Sequence, residues 1–152
     1  MNLIILSDTH GLLRPAVLEL LKSADAILHA GDINSQAVVD TLASFAPLYV
    51  VRGNNDKDWA AVLPLDLTVT LEGVRFYMVH NKKDVPADLA GADVVVFGHS
   101  HKYSEERRGD ALWLNPGSCG PRRFHQEITL MRAEVTNGSS RVEKIVIPHE
   151  VP

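Results

Sequence analysis

Five short apolar runs in this chain stop at the same kinds of residue. LIIL (3–6) runs into Ser7-Asp8-Thr9-His10, AILHA (26–30) into Gly31-Asp32, and LYVVR (48–52) into Gly53-Asn54-Asn55-Asp56. FYMV (76–79) gives way to His80, and VVVF (94–97) to Gly98-His99-Ser100-His101. Continuous apolar runs of this length suit strands buried on both faces. Asp, Asn and His are costly to bury without partners. Their recurrence at the carboxyl ends of strands therefore predicts a shared polar edge, where open parallel sheets gather their ligands.

Segments between the runs support that reading. RPAVLELLKSA (14–24) has Val17, Leu18, Leu21 and Ala24 at helical spacing, with Pro15 suited to a first turn. SQAVVDTLASF (35–45) reads as a second helix with Ser35 as its N-cap. Strand, helix, strand, helix, strand implies a parallel sheet with right-handed crossovers. The rhythm then changes. LTVTL (67–71) and VRFYMVH (74–80) flank Glu72-Gly73 as a hairpin, and residues 84–91 are expected to hold one short helix. ALWL (111–114), EITLMRAEV (127–135) and RVEKIVI (141–147) read as strands, the last two joined at Asn137-Gly138. An α/β front and a β-rich back suggest two packed sheets with helices outside.

The 152 residues suffice for one domain with its own core, with no linker, repeat or low-complexity tract. The formal charge is −4 and the sequence pI is about 5.9. This balance argues against a broad nucleic-acid binder, though not against a local phosphate site. The single cysteine, Cys119, excludes an internal disulfide. No apolar stretch approaches the ~18 residues of a membrane span, and MNLIILSD lacks the basic segment and long apolar core of a signal peptide. A cytoplasmic protein without a membrane partner is the expectation, and a homo-oligomer is compatible with it.

Each polar strand end also has an ordinary explanation. Asp8 and Asp32 could bond their own backbone in a turn, Asn54 could sit in a left-handed turn, and His80 could bond backbone. Two histidines two apart, His99 and His101, rarely serve packing. Five accidents at five strand ends are improbable together. Carboxylate, imidazole and amide oxygen in combination suit borderline divalent ions. Seven donors, Asp8, His10, Asp32, Asn54, His80, His99 and His101, exceed one tetrahedral zinc site. They suit two ions sharing a carboxylate, about 3.5–4 Å apart. His29 lies within a strand and reads as structural, and His149 as solvated.

In this order, Asp8-x-His10, Gly31-Asp32, Gly53-Asn54-x-Asp56, His80 and Gly98-His99-x-His101 resemble the calcineurin-like metallophosphoesterase superfamily. Asn115-Pro116-Gly117-Ser118, Pro121-Arg122 and the short length resemble more narrowly its small YfcE-type phosphodiesterases. The resemblance implies a single metallophosphoesterase domain over 1–152, built as a four-layer αββα sandwich of two mixed sheets flanked by helices. It implies two divalent ions, manganese first, with nickel, iron or zinc compatible. Asp8, His10 and His101 would hold one, Asn54, His80 and His99 the other, and Asp32 would bridge them. A water or hydroxide between the ions would attack a small phosphodiester in line. Asp32, Asn54, Asn55 and His99 form the implied catalytic set, and Asn55, Arg122 and His125 the implied substrate contacts.

Two departures matter. Many superfamily members carry His after the Gly-Asn pair to protonate the leaving oxygen. Here Asn55 can donate a hydrogen bond but has no proton to give. The fourth motif, often His-Gly-His, is His80-Asn81-Lys82, which keeps the expected ligand and adds a lysine read as solvated. Asn115-Pro116-Gly117-Ser118 could bind an anion through its N–H groups or only brace the sheet edge. Arg122 and Arg123 could grip phosphate or remain solvated. The rival readings are a retromer-type scaffold that binds protein through a degraded site, and a nuclease. All seven donor positions being filled favours the enzyme over the scaffold, and the acidic charge disfavours the nuclease.

Overall fold

The computed structural model describes residues 1–123 and 126–149. The first sheet contains β1 (Asn2–Leu6), β2 (Ala26–His29), β3 (Leu48–Val50), β9 (Ile128–Thr136) and β10 (Ser139–Ile147), in the order β10-β9-β1-β2-β3. The second contains β4 (Asp66–Leu71), β5 (Val74–Val79), β6 (Val94–Val96), β7 (Ser104–Arg108) and β8 (Ala111–Asn115), in the order β4-β5-β6-β8-β7. Both are mixed. Strands β1, β2 and β3 are parallel, and β9 runs antiparallel to β1. In the second sheet β5, β6 and β8 are parallel between antiparallel neighbours.

The register levels the strand ends. Leu6 pairs with His29 and His29 with Val50, so the residues after β1, β2 and β3 emerge side by side. Met78 pairs with Val96 and Val96 with Leu114 on the opposite sheet. Alternation along each strand then divides the core. Leu3, Ile5 and Leu28 meet Phe76, Met78, Val94, Val96 and Leu114 between the sheets. Ile4, Leu6 and Ile27 face outward, where Val17 and Leu21 of α1 (Pro15–Leu21) and Val38 and Leu42 of α2 (Gln36–Ala43) cover them. Pro15 opens α1, and the Ser35 hydroxyl accepts the Val38 N–H at the start of α2.

These elements form the αββα sandwich that the resemblance implies, with an outer layer of unequal thickness. Behind the second sheet, Tyr77, Val79, Val95 and Phe97 are covered by Val85, Leu89, Ala92 and Trp113. The helix expected over 84–91 is absent. Only a single 3₁₀ turn, Lys82–Asp84, forms there, because Pro86 drives Val85 into extended backbone, φ −69° and ψ 123°. α1 also ends earlier than 24, since Lys22, Ser23 and Ala24 bond back three residues rather than four. Both hairpins form at the expected pairs, with positive φ at Glu72, Gly73, Asn137 and Gly138 as a type I′ turn requires. Among the described residues no helix is long and apolar enough to cross a membrane.

Candidate metal centre

At the level edge, the loop after β1 carries Asp8 and His10, the loop after β2 carries Asp32, and the loop after β3 carries Asn54. From the facing sheet come His80 after β5, and His99 and His101 after β6. Five of these seven residues hold positive φ: Asp8, His10, Asp32, His99 and His101, at 45° to 73°. For residues with a Cβ this conformation costs about 1–3 kcal/mol each. It persists because the surroundings fix it.

Two donor groups result. One ligand atom each from Asp8, His10 and His101 lie within 4.8 Å of one another, and the same holds for Asp32, His80 and His99. His101 Nε2 lies 3.4 Å from Asp8 Oδ1 and 3.3 Å from His10 Nε2. His80 Nε2 lies 3.3 Å from Asp32 Oδ2. The Asn54 Oδ1 atom lies 3.3 Å from His99 Nδ1, which joins the amide to the second group. Asp32 Oδ2 also stands 3.9 Å from His10 Nε2, between the groups.

The surroundings hold each donor by its other atoms. The Ser7 hydroxyl and the His99 N–H both donate to Asp8 Oδ2, at 2.7 and 3.1 Å. Asp8 Oδ1 is left buried without a hydrogen-bond partner. His80 Nδ1 lies 2.7 Å from the Ala30 carbonyl, which sets that nitrogen as the donor and turns Nε2, also buried and without a partner, toward the cluster. Two orphaned donor atoms in a buried polar site are what a cation requires. Close backbone approach completes the packing. A methyl group at Gly53 would strike the Asp32 carboxylate, and one at Gly98 would strike Ser7 Oγ and Asp8 Oδ2.

Charge follows the same geometry. Burial pushes the Asp32 carboxyl up, but His80 and the Asn55 N–H outweigh it and hold the group well below the usual carboxylate range. Burial lowers His10. Burial also acts to lower His80, but Asp32 and Asp8 reverse the sign and raise it.

Other sequence candidates fall in different places. Asn55 donates its backbone N–H to Asp32 Oδ1 at 2.9 Å and its side-chain amide to Oδ2 at 3.1 Å, so its amide is spent on the carboxylate. Arg122 is exposed and turned to the Gln126 carbonyl and the His149 ring. His125 lies outside the described residues. Asn115-Pro116-Gly117-Ser118 is buried and braces the edge: Asn115 donates to the Gly98 carbonyl at 3.2 Å, and the Ser118 hydroxyl to the Asp8 carbonyl at 3.0 Å.

One support carries no signal of its role in the sequence beyond its spacing, and a second, read as structural, proves to link two loops. The Asp56 carboxylate accepts the N–H groups of Asp32, Ile33, Asn34 and Gly53 at 2.8–3.0 Å. His29 accepts the Gly31 N–H on Nδ1 and meets the Thr9 hydroxyl through Nε2, both at 3.0 Å, tying two metal-side loops together. The spacing of Asp56 three residues after Gly53 was the one signal that could have exposed such a role.

With this geometry in hand, comparison with known proteins is decisive about class. Residues 1–138 match the calcineurin-like phosphoesterase superfamily domain. The phosphodiesterase YfcE of Escherichia coli is 32% identical over 146 residues, covering 78% of this chain and 79% of that one. A solved archaeal phosphodiesterase superposes with a TM-score of 0.81 at 24% identity, over 97% of this chain and 100% of that one. Vps29 of Entamoeba histolytica, solved with Zn²⁺, gives a TM-score of 0.75 at 20% identity, over 96% of this chain and 99% of that one. The fold and family are those of a metal-dependent phosphoesterase. The chain belongs to the calcineurin-like phosphoesterase superfamily.

Proposed function

We propose that residues 1–152 act as one domain that hydrolyses small phosphodiesters with a pair of divalent cations. Asp8, His10 and His101 would hold one ion, Asn54, His80 and His99 the other, and Asp32 both. The observation that carries this reading is the pair of orphaned donors, Asp8 Oδ1 and His80 Nε2, one in each group. The mixture of carboxylate, imidazole and amide fits manganese first, and also nickel, iron or zinc. When bound, such ions supply an activated water and neutralise charge on the phosphoryl oxygens.

The chain's own residues do the rest. Asn55 fixes Asp32 by two hydrogen bonds. Ser7 and the His99 N–H orient Asp8 so that one oxygen stays free. The Ala30 carbonyl selects the His80 tautomer. Asn55 cannot protonate a leaving alkoxide, so the reaction favours leaving groups that depart as anions.

The likeness to Vps29 supports a protein-binding scaffold as the second reading, and metal binding alone does not separate the two, since that relative was itself solved with Zn²⁺. Turnover does. The protein loaded with manganese should hydrolyse bis(p-nitrophenyl) phosphate and lose that activity to a chelator. A protein shown to bind metal that gives no turnover with manganese, nickel or iron would favour the scaffold.

A further inference from the structure

Two cavities open on either side of Asn81 and His99, which line both. The first, about 750 Å³, extends to Arg52, Leu65, Asp66, Tyr77 and Asp84. The second, about 550 Å³, is walled by Lys82, Lys83, Phe97, Arg108 and Trp113. A phosphodiester has two arms, and these cavities offer them different chemistry. We propose that the second cavity takes an arm that carries a further phosphate group, so that the preferred substrate is a diester of a phosphorylated alcohol. This inference rests on the phosphodiesterase reading and specifies its substrate class.

The charge balance of the two walls points there. The chain is acidic overall, at −4, yet three cations line the second cavity. Among the described residues they share one carboxylate. Glu106 lies 3.2 Å from Arg108 Nε and 4.0 Å from Lys82 Nζ, and among the described residues Lys83 has no carboxylate within 4 Å. The wall therefore carries a surplus of positive charge beside His99. Among the described residues the first cavity is lined by one Lys or Arg, Arg52, and by two carboxylates, Asp66 and Asp84, and a second phosphate there would be repelled.

The cations are also held in place. The Arg108 guanidinium stands 4.4 Å over the Trp113 ring, and Lys82 Nζ stands 5.6 Å from the centre of the Phe97 ring. Such stacking orients a charge at an apolar wall without neutralising it. Lys82 and Lys83 sit in the 3₁₀ turn that follows His80, and the Asn81 side chain fixes that turn by accepting the Lys83 N–H at 3.0 Å. The strand end that delivers His80 thus delivers two cations beside it.

Two substrates separate this inference from the reading beneath it: the p-nitrophenyl ester of thymidine 5′-phosphate, and the same ester with a 3′-phosphate. The manganese-loaded protein should show kcat/KM about tenfold higher for the phosphorylated ester, as one charge-assisted hydrogen bond supplies. Replacing the three cations together (Lys82→Gln, Lys83→Gln, Arg108→Gln) should bring the ratio close to one while leaving the unphosphorylated ester's rate unchanged. Equal rates for the two esters in the unaltered protein would overturn the inference and leave the phosphodiesterase reading standing. Hydrolysis of neither ester would overturn that reading. Calorimetric binding of thymidine 3′,5′-bisphosphate then decides the cavity: weaker binding by the triple variant upholds it, and equal binding removes it.

Discussion

At the first sheet's edge a single carboxylate, Asp56, gathers four backbone N–H groups and sets the loops after β2 and β3 against each other. At the second sheet's edge, among the described residues, no carboxylate plays that part. His80 hangs from the Ala30 carbonyl, and the His99 N–H from Asp8 Oδ2. Gly98 takes the His80 carbonyl and is braced by Asn115. The loops after β2 and β3 are clamped from within the first sheet, whereas His80 and the His99 backbone are held by bonds that reach across to that sheet. A site split between two sheets can stay ordered when only one of them carries a clamp. Burial cuts across that division: Asp8 and Asp32 of the first sheet and His80 of the second are buried, while Asn54 of the first and His99 of the second are exposed.

The largest expected effect comes from Asp32, the residue that the proposed pair of ions would share. Asp32→Ala should lower turnover of a nitrophenyl diester by about a thousandfold or more, because charge stabilisation at both ions fails together. A variant with a steady-state rate near that of the unaltered protein would break the division of roles at once. Next is the clamp. Asp56→Ala leaves four backbone N–H groups without their acceptor, and unfolding in urea should report a loss on the order of 4 kcal/mol. A loss below that caused by any change in the second sheet's loops would reverse the comparison.

His29 tests the same edge through pH. Burial lowers its ring to about 4, from 6.5 in an open chain. Between those values the unfolded chain takes a proton that the folded protein refuses. Stability should therefore fall as pH drops from about 6.5 to about 4, by on the order of 3 kcal/mol, and His29→Gln should flatten that slope in denaturation curves. An unchanged slope would mean that another group governs it. The smallest effect belongs to the second sheet. Asn115→Ala removes the brace on Gly98, and should cost about 1–2 kcal/mol of stability and about tenfold in metal affinity, read by titration with manganese.

Much of this was written in the chain's patterning. Continuous apolar runs gave the central strands, helical spacing gave α1 and α2, and the Gly-bearing pairs gave both hairpins. Strand β7, SEERR, escaped because an exposed edge strand carries charge where a buried one carries apolar side chains. The expected helix over 84–91 failed for the reason Pro86 supplies, a local stop that sets Val85 in extended backbone. The donor residues were legible because their chemistry is costly away from a ligand. Their supports were not. Asp56 acts on backbone N–H groups that have no sequence signature, and His29 looks like any strand histidine until its two nitrogens are seen between two loops. Arg122 and Arg123 are equivalent in the sequence, and only the turn of the chain sets Arg122 toward Gln126 and His149.

The central claim is that Asp32 joins two cation positions into one centre. It is tested most directly by counting manganese per chain at saturation while recording the electron paramagnetic resonance spectrum. The unaltered protein should bind two ions with the signature of a coupled pair, and Asp32→Ala should bind one or none and lose the coupling. A single ion in the unaltered protein, or a coupled pair that survives Asp32→Ala, would contradict the account.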